Sequence, residues 1–218
     1  MTQPNVIFII CDDLAWGDLA CHGNPVPTHT PHLDAMHAGS TRLSRHCSGP
    51  LCTPARAGIL TGRWHPRTRA FDTYCGRARL DPGEPTIARM LQAAGYHTGC
   101  FGKWHLGDNF GSRPMDMGFC ETLVHLAGGI GQPGDRYENH EREAEAYFDP
   151  VVVRQGVPEV STGYCSDVFA NACIDFIDRH AQVPFFAYLA FNAPHSPFQI
   201  ADEWADPYRR TGINETHA

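Results

Sequence analysis

Two stretches of the chain are apolar without a break: Val6-Ile7-Phe8-Ile9-Ile10 near the start, and Phe185-Phe186-Ala187-Tyr188-Leu189-Ala190-Phe191 after Pro184. Short runs of this kind, rich in β-branched or aromatic residues, predict strands buried on both faces of a parallel sheet. A third strand is predicted over residues 97–103. Between the strands the apolar positions shift to helical spacing. Thr30-Pro31 marks a helix start, Leu33 and Met36 give it an apolar side, and Gly39 stops it. Thr53-Pro54 starts a second helix that ends near Thr61-Gly62. From Thr86 a third carries Ile87, Met90, Leu91 and Ala94 on one face and is closed by Gly95. Ser166 is the expected N-cap of a fourth, with Phe169, Cys173, Phe176 and Ile177 in one stripe.

Residues 107–163 are rich in Gly, Pro and charge, and predict loops with short strands over 122–126 and 148–153. Residues 199–218 predict a loop-like passage in which nothing closes the sheet. Helices alternating with buried strands indicate an α/β fold, a mainly parallel sheet flanked by helices and incomplete at its C-terminal end.

Composition changes this picture little. With 218 residues, 42% hydrophobic and 19% charged, the chain is an ordinary folding sequence rather than a disordered one. Its net charge of -7 is spread as mixed signs, which argues against a nucleic-acid partner but leaves room for a small anion among a few local cations. No run of about 18 apolar residues is present, so no membrane-spanning helix is predicted. Nine cysteines without a Cys-x-x-Cys pair argue against a disulfide framework, and the N-terminal residues carry no leader pattern. Both point to the cytoplasm, with a periplasmic or secreted location open if a leader was removed.

The candidate chemistry sits where strands end, the place where open α/β sheets collect ligands. Asp12 and Asp13 end the first strand, and two adjacent carboxylates suit a hard divalent cation; they also suit a solvated turn. In Cys52-Thr53-Pro54-Ala55-Arg56 the proline sets a helix start, which places Cys52 at free backbone N–H groups and the positive end of the dipole, with Arg56 one turn on. A cysteine at a helix start can equally be structural. Lys103 and His105, two apart after the third strand, offer a cation and a titratable group on one side if the backbone stays extended; alone they also fit an exposed lysine and a satisfied histidine. Pro194-His195-Ser196-Pro197 presents His195 on a stiff loop after the last strand.

Taken together, these segments resemble the type I sulfatases of the alkaline phosphatase superfamily. The correspondence runs in order through Asp12-Asp13-Leu14-Ala15-Trp16-Gly17-Asp18, Thr30-Pro31-His32-Leu33-Asp34, Cys52-Thr53-Pro54-Ala55-Arg56 with Leu60-Thr61-Gly62-Arg63, Gly102-Lys103-Trp104-His105, and Pro194-His195-Ser196-Pro197. Ala15 and Ala20 stand where glycine is common, and His32 where asparagine is usual. The resemblance implies a sulfuric ester hydrolase. Cys52 would be oxidised to formylglycine by a formylglycine-generating enzyme, and its hydrate would attack sulfur with one hydroxyl and release sulfate as the other collapses to the aldehyde. Asp12, Asp13 and residue 52 would hold Ca²⁺ or Mg²⁺. Arg56 would stabilise the deprotonated hydrate and Lys103 the sulfate, His105 would take the second hydroxyl proton, and His195 would meet the ester oxygen.

Members of that family are typically about twice this length, beyond a usual single core. They draw a second pair of metal ligands and a further substrate-binding lysine from sequence past the Pro-His-x-Pro segment. Residues 1–218 are therefore expected to be the N-terminal part of a catalytic domain, with little or no activity alone, acting as a whole on a small-molecule or carbohydrate sulfate ester. Three other readings stay open: a phosphonate monoester or phosphodiester hydrolase of the same superfamily, a non-catalytic anion- or metal-binding relic that keeps Cys52 as a thiol, and a zinc protein suggested by His29, His32 and His37.

Overall fold

The computed structural model describes residues 3–23, 28–43, 48–74, 78–142 and 145–213. Its strands are β1 (Val6–Asp12), β2 (His97–Lys103), β3 (Glu121–His125), β4 (Val151–Arg154), β5 (Val157–Val160) and β6 (Phe185–Pro194). They form one sheet in the order β1-β6-β2-β3-β4-β5. The pairs β1/β6, β6/β2 and β2/β3 are parallel, whereas β3/β4 and β4/β5 are antiparallel. The helices are α1 (Pro31–Ala38), α2 (Cys52–Thr61), α3 (His65–Thr68), α4 (Ile87–Ala93), α5 (Tyr137–His140), α6 (Cys165–Arg179) and α7 (Asp202–Arg209). None among the described residues is long and apolar enough to cross a membrane.

Side chains of a strand alternate between faces, and β6 uses both. Phe186, Tyr188 and Ala190 enter one core with Ala57 and Leu60 of α2 and Ala88 of α4. Phe185, Ala187 and Leu189 enter the other, against Phe169, Cys173 and Phe176 of α6. The unbroken apolar run is the mark of this two-sided burial. The stripe expected on the fourth helix is the one that packs, although its N-cap is Tyr164 and Ser166 lies inside the first turn.

Three expectations need correcting. Among the described residues β6 alone flanks β1, and Ile7 and Ile9 are 50% and 52% exposed, so the run 6–10 is not buried on both faces. Hydrophobic runs carry no information about which neighbour is present, so the pattern of a central strand also fits an uncovered edge. On α4 the predicted face is split: Leu91 packs against the core, whereas Met90 is 67% exposed and the buried residue is Ala88, outside the predicted stripe. That helix is held by Thr86, whose hydroxyl oxygen accepts the Arg89 N–H at 3.2 Å and donates to the Met117 carbonyl at 2.6 Å. The closing passage holds a helix, α7, despite Pro207 inside it. Of the two short strands, that over 122–126 matches β3. The other begins at Val151, where the Gly156 turn pairs it with β5.

The parallel strands β1, β6 and β2 end on one rim of the sheet, which brings Asp12, the residues 192–195 and Lys103 together. The β1/β6 register passes from Ile10↔Ala190 to Asp12↔Pro194, so two steps of β1 match four of β6. Such a bulge re-aims side chains at a strand end. On the other side Gly102 has φ 101°, and a Cβ there would lie 1.9 Å from the Ala190 carbonyl oxygen. Only glycine allows β2 to approach β6 this closely one residue before Lys103. Gly102→Ala is therefore expected to cost more than about 3 kcal/mol, through backbone clash and left-handed strain together. Urea unfolding followed by circular dichroism checks this, and a variant of wild-type stability would contradict it.

Candidate active site

Asp12 is 6% exposed and faces two cations that are buried more deeply still, Arg56 at 2% and Lys103 at 0%. Arg56 Nη2 donates to Asp12 Oδ1 at 3.2 Å, and the Lys103 ammonium bonds the other carboxylate oxygen. Arg56 Nη1 also donates to the Lys103 carbonyl at 2.8 Å, which ties α2 to the end of β2. Burial alone pushes the Asp12 carboxyl up, but Arg56 and Lys103 outweigh it and hold the group below the usual carboxylate range. Its contribution to stability is thus present above the unfolded value of about 3.9 and is lost as pH falls through the folded one. One carboxylate against two cations leaves a unit of positive charge in the trio.

Residue 52 stands beside that charge. Cys52 is the first residue of α2, with Leu51 as N-cap, so the first-turn amides have no intrahelical acceptor. Pro54 falls at the third helical position, where its missing N–H costs nothing. The Cys52 thiol is lowered to about 6 by its approach to the His105 imidazole first and the His195 imidazole second, with Lys103 adding to them against the opposing effect of burial. His195 is raised in turn by Cys52, against partial burial. The two shifts are mutual, so the pair titrates jointly.

The two imidazoles are oriented differently. His105 has φ 53°, so the chain is not extended from Lys103 and the expected same-side alignment through an extended backbone does not apply. Its N–H bonds the Leu126 carbonyl at 3.2 Å, its carbonyl accepts the Thr53 hydroxyl at 2.9 Å, and its Nε2 donates to the Thr73 carbonyl at 3.2 Å. With the proton on Nε2, Nδ1 is left as a buried lone pair that meets no hydrogen-bond partner among the described residues. His195 donates through Nδ1 to the Ser196 carbonyl at 2.6 Å, and its Nε2 lies 3.7 Å from Asp13 Oδ2. Asp13 has φ 66°, and its side chain is 65% exposed.

A cavity of about 400 Å³ is lined by Asp12, Asp13, Cys52, Arg56, His105 and His195. Lys103 lies behind this wall and acts on it through Asp12. All the predicted site residues therefore meet at one place. Several neighbours carried no signal of their own. The Tyr147 hydroxyl donates to the His195 carbonyl at 2.9 Å and receives the Asn192 amide, fixing the loop after β6. Gln132 Nε2 donates to the Ser196 carbonyl at 2.8 Å. Gly128 lies against His105, where an added Cβ would be 2.8 Å from its Cε1. The adjacent glycines 128 and 129 after a predicted strand could have marked that close approach; Thr73 and Tyr147 had nothing to mark them.

The residues fit the two groups that the sequence resemblance implies. An oxygen added at residue 52 has the unsatisfied Nδ1 of His105 to meet. For a cation, ligand atoms of Asp12, Cys52 and His195 lie within 4.8 Å of one another, and Asp13 adds a second carboxylate at the same rim. Carboxylate oxygens suit Ca²⁺ or Mg²⁺, and these residues supply part of the six to eight ligands of such a site.

Comparison with known proteins bears on the whole chain. A family model described as Sulfatase matches residues 4–217. The arylsulfatase of Klebsiella aerogenes is 33% identical over 220 residues, which cover 95% of this chain and 46% of that protein. The crystal structure of Ps i-CgsB superposes with a TM-score of 0.85 at 28% identity, over 99% of this chain and 51% of that one. BT4656, solved in complex with its substrate D-glucosamine-2-N,6-O-disulfate, gives a TM-score of 0.80 at 27% identity, over 98% of this chain and 39% of that one. The chain thus spans about half the length of the relatives it matches, or somewhat less.

Alkylation of the unmodified protein by iodoacetamide is expected to be fastest at Cys52. Its rate should rise with pH through about 6 and level off near neutrality, and His105→Ala should move that rise upward. Peptide mass spectrometry of the alkylated protein reads both; a Cys52 profile that climbs only toward pH 9 would contradict the charge arrangement. Unfolding in urea probes the trio itself. Asp12→Ala strands two buried cations and is expected to cost about 3–5 kcal/mol. Lys103→Met leaves a one-to-one Asp12–Arg56 pair and should cost less than half of that; an equal or larger loss would count against the excess positive charge.

Proposed function

The chain belongs to the sulfatase family, and from that premise we propose that it forms the nucleophile-bearing half of an enzyme that hydrolyses sulfate esters of carbohydrates. The observation that carries the reading is the meeting of residue 52, at the start of α2, with Arg56, Lys103, His105 and His195 around one buried carboxylate. A thiol suits this seat poorly as the working nucleophile, because a sulfuryl group on sulfur would have no easy exit. Conversion of Cys52 to formylglycine would supply a hydrated aldehyde in its place, which can attack with one hydroxyl and release with the other.

The remaining groups of the chain have definite tasks under this reading. Arg56 and Lys103 supply fixed positive charge for the anionic nucleophile and the sulfate. His105 keeps its proton on Nε2 against Thr73, so the Nδ1 lone pair is the base available to a hydroxyl at residue 52. His195 is anchored through Nδ1 to Ser196, which leaves Nε2 to carry the proton toward a leaving alkoxide. Asp12 and Asp13 would hold a divalent cation, whose contribution is Lewis-acid polarisation of a sulfate oxygen. The cavity of about 400 Å³ suits one sugar unit, and BT4656 acts on a sulfated glucosamine; a sulfated sugar is accordingly the proposed substrate class.

The test uses the protein from its complete reading frame, produced with a formylglycine-generating enzyme. The tryptic peptide that ends at Arg56 is expected to carry an aldehyde at position 52, and aryl sulfate hydrolysis should fall at least about a thousandfold in Cys52→Ala. Only thiol at position 52 in active protein would overturn the proposed nucleophile. Faster hydrolysis of aryl phosphonates or phosphodiesters than of sulfates would overturn the substrate class.

A further inference from the structure

A second cluster of ligand-type side chains stands apart from the catalytic cavity. Cys21, His22 and His37 have ligand atoms within 4.8 Å of one another, and none of the three lines that cavity. Cys21 and His22 belong to a 3-10 turn, Ala20–His22, that closely follows Asp12 and Asp13; His37 lies in the last turn of α1. The two elements are already joined by polar contacts. Asp34 of α1 accepts the Cys21 N–H at 2.9 Å and the Thr30 hydroxyl at 3.2 Å, and Thr30 Oγ1 accepts the Ala20 N–H at 3.3 Å. Of the three histidines that suggested zinc from the sequence, only His37 takes part.

The His22 ring is set in the manner of a metal ligand. Its Nδ1 donates to the Trp16 carbonyl at 2.9 Å, which leaves the lone pair on Nε2. Its plane is fixed by stacking on Trp16, with centroids 3.6 Å apart and an interplanar angle of 2°. A histidine that binds metal through one nitrogen commonly donates the other N–H to a backbone carbonyl in this way. The His37 ring meets His22 at 82°, with centroids 5.5 Å apart. An ion bonded at about 2.0–2.3 Å needs its ligands within about 4 Å of one another, so small side-chain rotations close the set.

We propose that Cys21, His22 and His37 form a site for a borderline-soft divalent ion of the zinc class, with the fourth position left to water, that clasps the turn after Asp12 and Asp13 to α1. One thiolate and two imidazoles select such an ion and reject Ca²⁺ and Mg²⁺, so this site and the carboxylate site do not compete. The Cys21 thiol is held above its ordinary range by loss of solvent and by the Asp34 carboxylate, so coordination displaces a proton.

The test is a zinc titration of the whole protein against a chromophoric chelator, in a Cys52→Ser background that removes the thiol of the other cluster. Cobalt is used in parallel as a probe of the thiolate. One equivalent of zinc is expected to bind, with a thiolate-to-cobalt charge-transfer band. Cys21→Ser and His37→Ala should each weaken zinc by more than about tenfold. His22→Phe preserves an aromatic ring on Trp16 and should weaken zinc equally, which separates coordination from stacking. Absence of saturable zinc binding, or wild-type affinity in any of these three variants, would overturn the site.

Discussion

Asp12 is a carboxylate buried between the guanidinium of Arg56 and the ammonium of Lys103, and the rest of the site follows from the imbalance of that trio. Removing three charges from water is costly, and two attractive pairs recover part of the cost only because the groups touch and because Arg56 also bonds the Lys103 backbone. The trio joins the ends of two strands, β1 and β2, to the first turns of α2, across β6 between them. It therefore sets both the shape of the rim and its sign. An anion at residue 52 completes the charge balance: a thiolate in the unmodified protein, an alkoxide or sulfate in the proposed enzyme.

The backbone serves this arrangement at points where ordinary side chains would not fit. Gly102 lets β2 reach β6 just before Lys103, and Gly128 leaves room for the His105 imidazole. The extra residues of β6 opposite the end of β1 turn Asn192 toward Tyr147, whose hydroxyl holds the His195 carbonyl. His195 thus reaches the cavity from a loop that is pinned on two sides, by Tyr147 and by Gln132 on Ser196. Positioning of this kind is what a reaction between fixed groups requires.

Much of this was legible in the sequence, for identifiable reasons. The strand β6 and the stripe on α6 were readable because burial on two faces or one face leaves a period in the chain. Cys52, Arg56, Lys103, His105 and His195 were readable because each lies at a strand end or a helix start marked by glycine or proline. Three things were not. The exposure of β1 depends on which strands flank it, which Val6 to Ile10 cannot encode. The face of α4 was read only in part: Leu91 does pack against the core, but buried Ala88 is small and exposed Met90 is large, so hydrophobicity there pointed the wrong way. The Asp12–Lys103 contact joins residues 91 apart in the chain, and no local pattern records such a pairing.

The excess positive charge around residue 52 is tested most directly by the binding of inorganic sulfate, measured by isothermal titration calorimetry on the whole protein with Cys52→Ala, where no thiolate competes. Saturable binding is predicted, weakened at least about tenfold when Lys103→Met is added, since a charged hydrogen bond or close charge is worth about 1.5–3 kcal/mol. Equal sulfate affinity in the single and double variants would contradict the account, because the buried ammonium would then contribute nothing to the seat it is said to charge.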